Sequence, residues 1–421
     1  MRRILAGRAT LTGLWRHPDF VRLWLGRTVS RFGSHIGGTA LSLTAVLALR
    51  ATPAQMGLLA ALESAPLLAV GLVAGVWVDR LRRRPIMLAA DFGRAALLTS
   101  IPLAALLGRL RMEHLYVVAA LAGLLTVFFD VADQSLLPTL VPPERLAEGN
   151  GKLAASDSLA EIGGQAMAGG LVQLLGGPAA ILVDAASFLC SALCVGSIRA
   201  PEPPVSTGRG HGLWREIIAG LRVALGHPLL RALAGSAATA TFFGNFIGAL
   251  YALYVIRTLG LPVSMVGILV AAGGVGALAG ALVAGRVVRR FGLGPTLCGT
   301  ALVAGGAQAL NPLAHGPAIV SVALLLAAQL VGDIAYAIRA IRADSLRQAV
   351  APGRQLGRVT ASMRVLTEGT APLGALVGGA LGGAIGPRPT LATAACGLLL
   401  AALWLFLSPV RTLHELPAAT E

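Results

Sequence analysis

Glu63 lies in the run ALESAPLL, among apolar residues and with no base beside it. An ionised, unpaired carboxylate in such surroundings costs several kcal/mol, so the side chain is expected to be protonated, paired or open to a wet cavity, and is suited to carrying a proton. His35 falls at a similar depth in the preceding apolar run, and either shares that proton or packs on its own. Arg27 and Arg31, four apart, project from one helix face, where they either draw an anionic group or pair with acids; Arg27 can also reach back to water. Asp130 and Asp133 share a face three apart, and Asp157 precedes Glu161 by one turn as Arg364 precedes Glu368. These pairs suit proton carriage, gating or structural ion pairing. Asp184 and Asp333 are further acids inside apolar runs, Asp184 reading as a packing group. The run TATFFGNFIGALYALY offers Phe242, Phe243, Asn245, Tyr251 and Tyr254, a mixture of rings and polar groups that fits a pocket for a drug-sized amphipathic molecule, although rings in such runs more often pack.

The elements that would hold these residues follow from composition. The chain is 56% hydrophobic and 13% charged, contains 53 glycines and has a mean hydropathy of +0.76. Its apolar runs reach the length at which a helix crosses roughly 30 Å of hydrocarbon. Twelve candidate spans result, near 21–49, 54–78, 86–108, 114–138, 152–176, 178–198, 230–256, 263–287, 295–314, 317–338, 358–385 and 389–409. With both termini placed in the cytoplasm, 25 of the 34 basic residues fall on the inner side, five in outer loops and four within spans, which supports that orientation. The net charge of +15 is scattered in short arginine tracts without interleaved aromatics, so nucleic acid is not an expected partner. No cleaved signal is expected at the N-terminus. Cys190, Cys194, Cys298 and Cys396 all sit in apolar runs and no metal set forms around them.

The chain also repeats itself. A shift of 210 residues aligns HPDF at 17 with HPLL at 227, Gly57 with Gly267, GLVAGVWVDRL at 71 with ALVAGRVVRRF at 281, and Pro102 with Pro312. Two six-helix bundles are expected, residues 1–198 and 229–421, joined by a cytoplasmic linker at 199–228 that contains PEPPVSTGRGHG and a short surface helix. Parallel repeats of this kind place a substrate path at their interface near mid-membrane.

Between the second and third spans, GVWVDRLRRRP supplies Gly75, Asp79, Arg80, Arg83 and Arg84. That spacing resembles the loop motif of the major facilitator superfamily, with Arg82 standing where the family has glycine. The resemblance implies the fold just described, an all-α membrane protein of twelve helices in two pseudo-symmetric bundles. It further implies that Asp79 caps or pairs with neighbouring helix ends and that the loop arginines latch the bundles on the inner side. Asp91 and Arg94 are expected to join that charge network. In the second half Arg289 replaces the acid. DFGRAALL at 91, the run from VFFDVADQ at 127 to LVQLLGG, and ILVDAASFL at 181 resemble the enterobactin-exporter and macrolide-efflux branch, which implies export of small molecules in exchange for protons. Gln165 occupies the position of a proline common in exporters of the superfamily, while Pro372 fills the matching place in the second half.

No GxxxxGK[ST] is present and GNGKL at 149 lacks the spacing, so ATP hydrolysis is not expected. The expected energy source is a proton gradient without any cofactor; the expected partners are the bilayer, protons and a small-molecule substrate, with the chain a monomer in a bacterial inner membrane. Uptake of a nutrient on the same fold is the alternative. A membrane sensor or embedded enzyme ranks last, since no HExxH or nucleophile motif is present.

Overall fold

Proline sets where the two halves begin. His17 (φ −91°, ψ 105°) and His227 (φ −89°, ψ 122°) are both extended, as a residue before proline must be, and a helix starts at each following proline. These helices are α1, Pro18–Leu47, and α8, Pro228–Leu253. The computed structural model describes residues 13–79, 81–200, 213–351 and 356–416, with the side chains of 71–79 and 213–219 outside the description. Arg80, the side chain of Asp79, the surroundings of Gly75 and the linker segment 201–212 therefore lie outside the described residues.

The first half continues with α2 (Pro53–Asp79), α3 (Arg83–Leu106), α4 (Met112–Leu140), α5 (Leu146–Leu175) and α6 (Gly177–Gly196). A connecting helix, α7 (Leu213–Gly226), falls in the expected linker and packs on α8 and α13 (Leu356–Glu368). After α8 come a π-helical turn, Tyr254–Thr258, then α9 (Val263–Phe291), α10 (Leu293–Gln308), α11 (Leu310–Leu313), α12 (Ala318–Val350), α13, α14 (Thr370–Ile385) and α15 (Pro387–Phe406). No strand occurs among the described residues.

Two of the expected spans are interrupted, at Ala309 and at Gly369. Pro312 and Pro372 follow three residues later, and neither can donate to the carbonyl four residues before it, so the helical ladder loosens there. Eight helical segments are long and apolar enough to cross a membrane by those measures alone. The helices α1 and α5 fall short because serine, glycine, threonine, histidine and glutamine, together with their charges, lower their hydropathy.

The internal repeat is visible in packing. In the first half α1 lies on α5 and α6, α2 on α4, and α3 on α4 and α6. In the second half α8 lies on α14 and α15, α9 on α12, and α10 on α12 and α15. The halves meet where α5 packs on α9 and α14 on α2. At those two crossings a methyl group would not fit. A Cβ on Gly57 would lie 2.5 Å from the Ala375 carbonyl and 2.6 Å from Gly379 Cα, and a Cβ on Gly267 would lie 2.5 Å from the Gln165 carbonyl and 2.9 Å from Gly169 N. Both pairs are related by the same 210-residue shift.

The repeat fails at one informative place. Gly292, in the turn between α9 and α10, has φ +85°, while its counterpart Arg82 takes φ −68°, ψ 130°. A side chain at φ +85° would be strained, so the arginine forces an extended turn in place of the left-handed one.

Gly57→Val and Gly267→Val are each expected to lower stability by about 1–3 kcal/mol through overpacking. Gly170→Ala, which faces open space, is expected to stay within about 0.5 kcal/mol. Thermal unfolding in detergent reads all three.

Candidate functional site

A cluster of charges ties three helices of the first half together. Arg27 on α1 donates to Asp133 on α4 at 2.6 Å and to Asp157 on α5 at 2.8 Å. One turn on, Arg31 pairs with Asp130 at 2.6 Å. Nearby, the Trp24 indole N–H donates to the Ser156 hydroxyl at 2.7 Å. The two arginines and the two α4 acids do share faces as their spacing requires, and the faces are turned toward one another. Arg27 therefore does not reach back to water, and Arg31 is already answered by an acid. Burial differs between the pairs: Asp133 is 2% exposed, whereas Arg31 and Asp130 are each about one-third exposed. Nε of Arg27 and Oδ1 of both Asp133 and Asp157 stay buried without a hydrogen-bond partner among the described residues, so the network is only partly satisfied.

His35 and Glu63, which the sequence allowed to share a proton, are separated. His35 lies against α5, its Cβ close to Gly164, and the charges acting on it are those of Glu161, Arg31 and Asp157. Glu63, on α2, is exposed, and its surface borders a cavity of about 340 Å³. Ser42, Ser64 and Asn245 also line this cavity, which lies between α1, α2 and α8. No hydrogen bond or ion pair joins the Glu63 carboxylate to any described residue.

A larger cavity, about 660 Å³, lies among α8, α10, α12, α13 and α15. It runs from Arg347 and Thr360, near the arginine-rich ends of their helices, to Asp333, about half-way along α12, and Ile247, about three-quarters of the way along α8. Asn245 borders this cavity as well as the one at Glu63, and Glu368 lines it with Arg364. The rings expected to line a pocket mostly do not. Phe242, Phe243 and Phe246 form their own edge-on cluster, with Phe243 seated against Gly397 and the Phe242 backbone against Gly374. Tyr254 is fully buried and donates to the Asn311 and Ala314 carbonyls at 2.9 and 3.1 Å. Tyr251 is buried too, with its hydroxyl unpartnered among the described residues. Of the five candidates on α8 and the turn that follows it, Asn245 is the one on the wall of these two cavities.

Of the loop residues, Arg84 has contacts within its own half. Arg83 and Arg84 open α3, and Arg84 donates to the Ile198 and Gly196 carbonyls at the end of α6, where a cation suits the helix terminus. Asp91 and Arg94 pair with each other at 2.5 Å, almost wholly buried, with the guanidinium 4.0 Å from the Phe188 ring centre and 4.4 Å from that of Phe129. Asp184 is buried against α1 and accepts from Ser34 and Ser187, as a packing group does.

Two residues that the sequence did not single out take prominent places. Arg257, carried by the π-helical turn, donates to the Ala51 and Val46 carbonyls, both at 2.7 Å, and so ties the second half to the α1–α2 connection. Arg339 was counted as a loop arginine because the tenth span was expected to end at 338. The helix α12 runs on to Val350 and buries Arg339 on the wall of the larger cavity.

The all-helical repeat, its central cavities and the paired charges are those of a multi-pass membrane transporter of the major facilitator type. The chain belongs to the family described as transmembrane secretion effector, whose model matches residues 10–420. It is 30% identical over 366 residues to the uncharacterized MFS-type transporter y4rN of Sinorhizobium fredii, a match covering 86% of this chain and 88% of that protein. It is 32% identical over 180 residues to the multidrug efflux pump Tap of Mycolicibacterium fortuitum, covering 40% of this chain and 43% of Tap. A crystal structure of a mutant of the nucleoside transporter NupG is similar in fold, with a TM-score of 0.77 at 12% identity over 92% of this chain and 99% of that one. A bacterial homologue of the iron transporter ferroportin in its inward-facing state has a TM-score of 0.75 at 19% identity, over 94% and 99% of the two chains. Family and neighbours are transporters, and the chain is accordingly not an enzyme.

Removing Arg27 would strand Asp133 and Asp157. Arg27→Gln is expected to cost about 3–5 kcal/mol, as loss of one partner of a buried pair does, while Arg31→Gln, at the wetter pair, is expected to cost about 0–1 kcal/mol. Equal melting-temperature losses for the two variants would refute this ranking.

Proposed function

We propose that this transporter is a secondary exporter in the cytoplasmic membrane of a bacterium, moving small molecules such as drugs, macrolides, siderophores or other secondary metabolites outward in exchange for protons. In this reading both termini are cytoplasmic and the chain crosses the membrane twelve times. The charged α1 and α5 count as spans because their ionised groups largely neutralise one another, and the interrupted pairs α10–α11 and α13–α14 add one span each. The units are the bundles 1–198 and 229–421 with the linker 199–228 between them, and the monomer works from the proton gradient without a cofactor. Export as the direction is supported by the family's secretion description and by the partial similarity to Tap.

The observation that carries the reading is the unpartnered Glu63 carboxylate on a cavity between the halves. It can take or give a proton without breaking an ion pair, whereas Asp130 and Asp157 must first part from Arg31 and Arg27. Glu161 and His35 form a second route on the α5 side. Alternating access is supported by an asymmetry between the ends. The glycine crossings and the Arg257 latch hold the arginine-poor end shut, while the larger cavity extends toward the arginine-rich end.

Pump-deficient cells expressing the protein are expected to accumulate less erythromycin or ethidium, and a protonophore or Glu63→Gln is expected to restore accumulation to within about twofold of the control. Efflux that survives both would overturn proton coupling through Glu63. For the latch, a cysteine at Ser42 in a cysteine-free background is expected to react at least several-fold faster with an impermeant thiol reagent from outside once Arg257→Gln is present. Unchanged labelling would remove the latch role.

A further inference from the structure

Two opposite charges on α12 face one cavity and neither is answered. Arg339 is 9% exposed and lines the larger cavity, its guanidinium 5.4 Å from the Tyr336 ring centre, with no hydrogen bond or ion pair to any described residue. Asp333 lines the same cavity, nested beside Gly273 of α9, and also has no hydrogen bond or ion pair among the described residues. The charged group that acts on Asp333 from across the interface is Glu161, of like sign. Of the other charged groups on this cavity, Asp344 and Arg347 are already neutralised at 3.1 Å, while Arg364 and Glu368 are exposed and so keep their hydration.

Position on the helix prevents Asp333 and Arg339 from neutralising each other. Ion pairs on a helix form at spacings of three or four residues, and these two are six apart, a rise of about 9 Å. An unpaired buried charge is costly and marks functional sites in membrane proteins. Here a buried arginine and a half-buried aspartate, of opposite sign, share one space large enough for a drug-sized molecule. The Ser236 hydroxyl, 1% exposed on the same wall, also has no partner among the described residues.

We propose that this cavity recognises amphoteric solutes, with a substrate carboxylate held by Arg339 and a substrate ammonium held by Asp333, the two charges on the order of 10 Å apart. Gln308, beside Gly332, and Asn245 on the same wall provide amide groups for the polar edges of the solute, and Tyr336 gives a ring face beside its acidic end. A solute with one charge would leave the other protein charge stranded, so selectivity comes from the penalty on the unanswered group. The proposal rests on the chain being a small-molecule transporter but not on the direction of transport or on its coupling ion.

The test is equilibrium binding to the purified full chain in detergent. Norfloxacin, which carries a carboxylate and a distal ammonium, is compared with its methyl ester, which keeps only the cation, and its N-acetyl derivative, which keeps only the anion. 8-Aminooctanoate with octylamine and octanoate repeats the comparison on a different scaffold. The parent of at least one series is expected to bind at least tenfold more tightly than either single-charge analogue. In Arg339→Gln the parent and the cation-only analogue should bind alike, and in Asp333→Asn the parent and the anion-only analogue should bind alike. Each variant should bind the analogue that lacks the group its lost charge would hold at least as tightly as the wild type does, which separates recognition from misfolding. Equal binding of all members of both series, no binding by either parent, or unchanged discrimination in the variants would overturn the proposal. Discrimination without protonophore-sensitive efflux would instead overturn proton-coupled export and leave the site standing.

Discussion

The pairing of Arg27 with Asp133 and Asp157 is the constraint on which the first half depends. A guanidinium placed inside a bundle surrounded by hydrocarbon is tolerated only with a counter-charge, and the counter-charges come from two other helices. α1, α4 and α5 are thereby fixed in rotation as well as in position, because a turn of any one of them would separate the ions. Arg31 with Asp130 repeats the arrangement one turn further on, while the enclosed Asp91–Arg94 pair neutralises its charges within α3 itself. In the first half the arginines within spans are all matched to acids. This leaves Glu63, Glu161 and Asp184 as the acids within its spans that have no ion pair among the described residues, and Asp184 is instead held by the Ser34 and Ser187 hydroxyls.

The second half uses charge differently. Its α12 carries Asp333 and Arg339 unpaired, and its contact surfaces rely on glycine, with Gly276 and Gly280 set against the α12 backbone. Small residues allow helices to approach without polar contacts, so this half holds its shape by close packing and keeps its charges free for the cavity. The two halves share a backbone plan, with matched helix pairings and matched proline starts, yet divide the electrostatic labour unequally.

How much of this the sequence revealed depends on range. Local features were readable: the proline starts at His17 and His227, the four-residue spacing of Arg27 and Arg31, and the departure at Arg82, whose extended turn follows from the side chain that glycine lacks. The pairing of Arg27 with acids more than a hundred residues away was not readable, because nothing local states which face α4 and α5 turn toward α1. Arg339 was misplaced for a related reason. A charge after an apolar run resembles a membrane boundary, and only the packing of α12 reveals that the helix continues through it. The rings of α8 illustrate the opposite error: Phe242, Phe243 and Tyr254 looked suited to a ligand but serve helix contacts, while the small polar Asn245 between them reaches both cavities.

Asn245 links the two kinds of site. It stands on α8, with the cavity of Glu63 on one side and that of Asp333 on the other. Two turns further along the chain α8 passes into the π-helical turn that aims Arg257 at the α1–α2 connection. An extra residue per turn widens the helix locally, and such turns concentrate at functional positions. One helix therefore carries a group bordering each cavity and a latch on the closed end. A displacement of α8 that freed Arg257 from the Ala51 and Val46 carbonyls would also shift Asn245 relative to both acids, since a helix moves as a rigid element over two turns. In the proposed cycle, occupancy of the cavities and closure of the arginine-poor end would be coupled through this single backbone, without a chain of side-chain contacts between them.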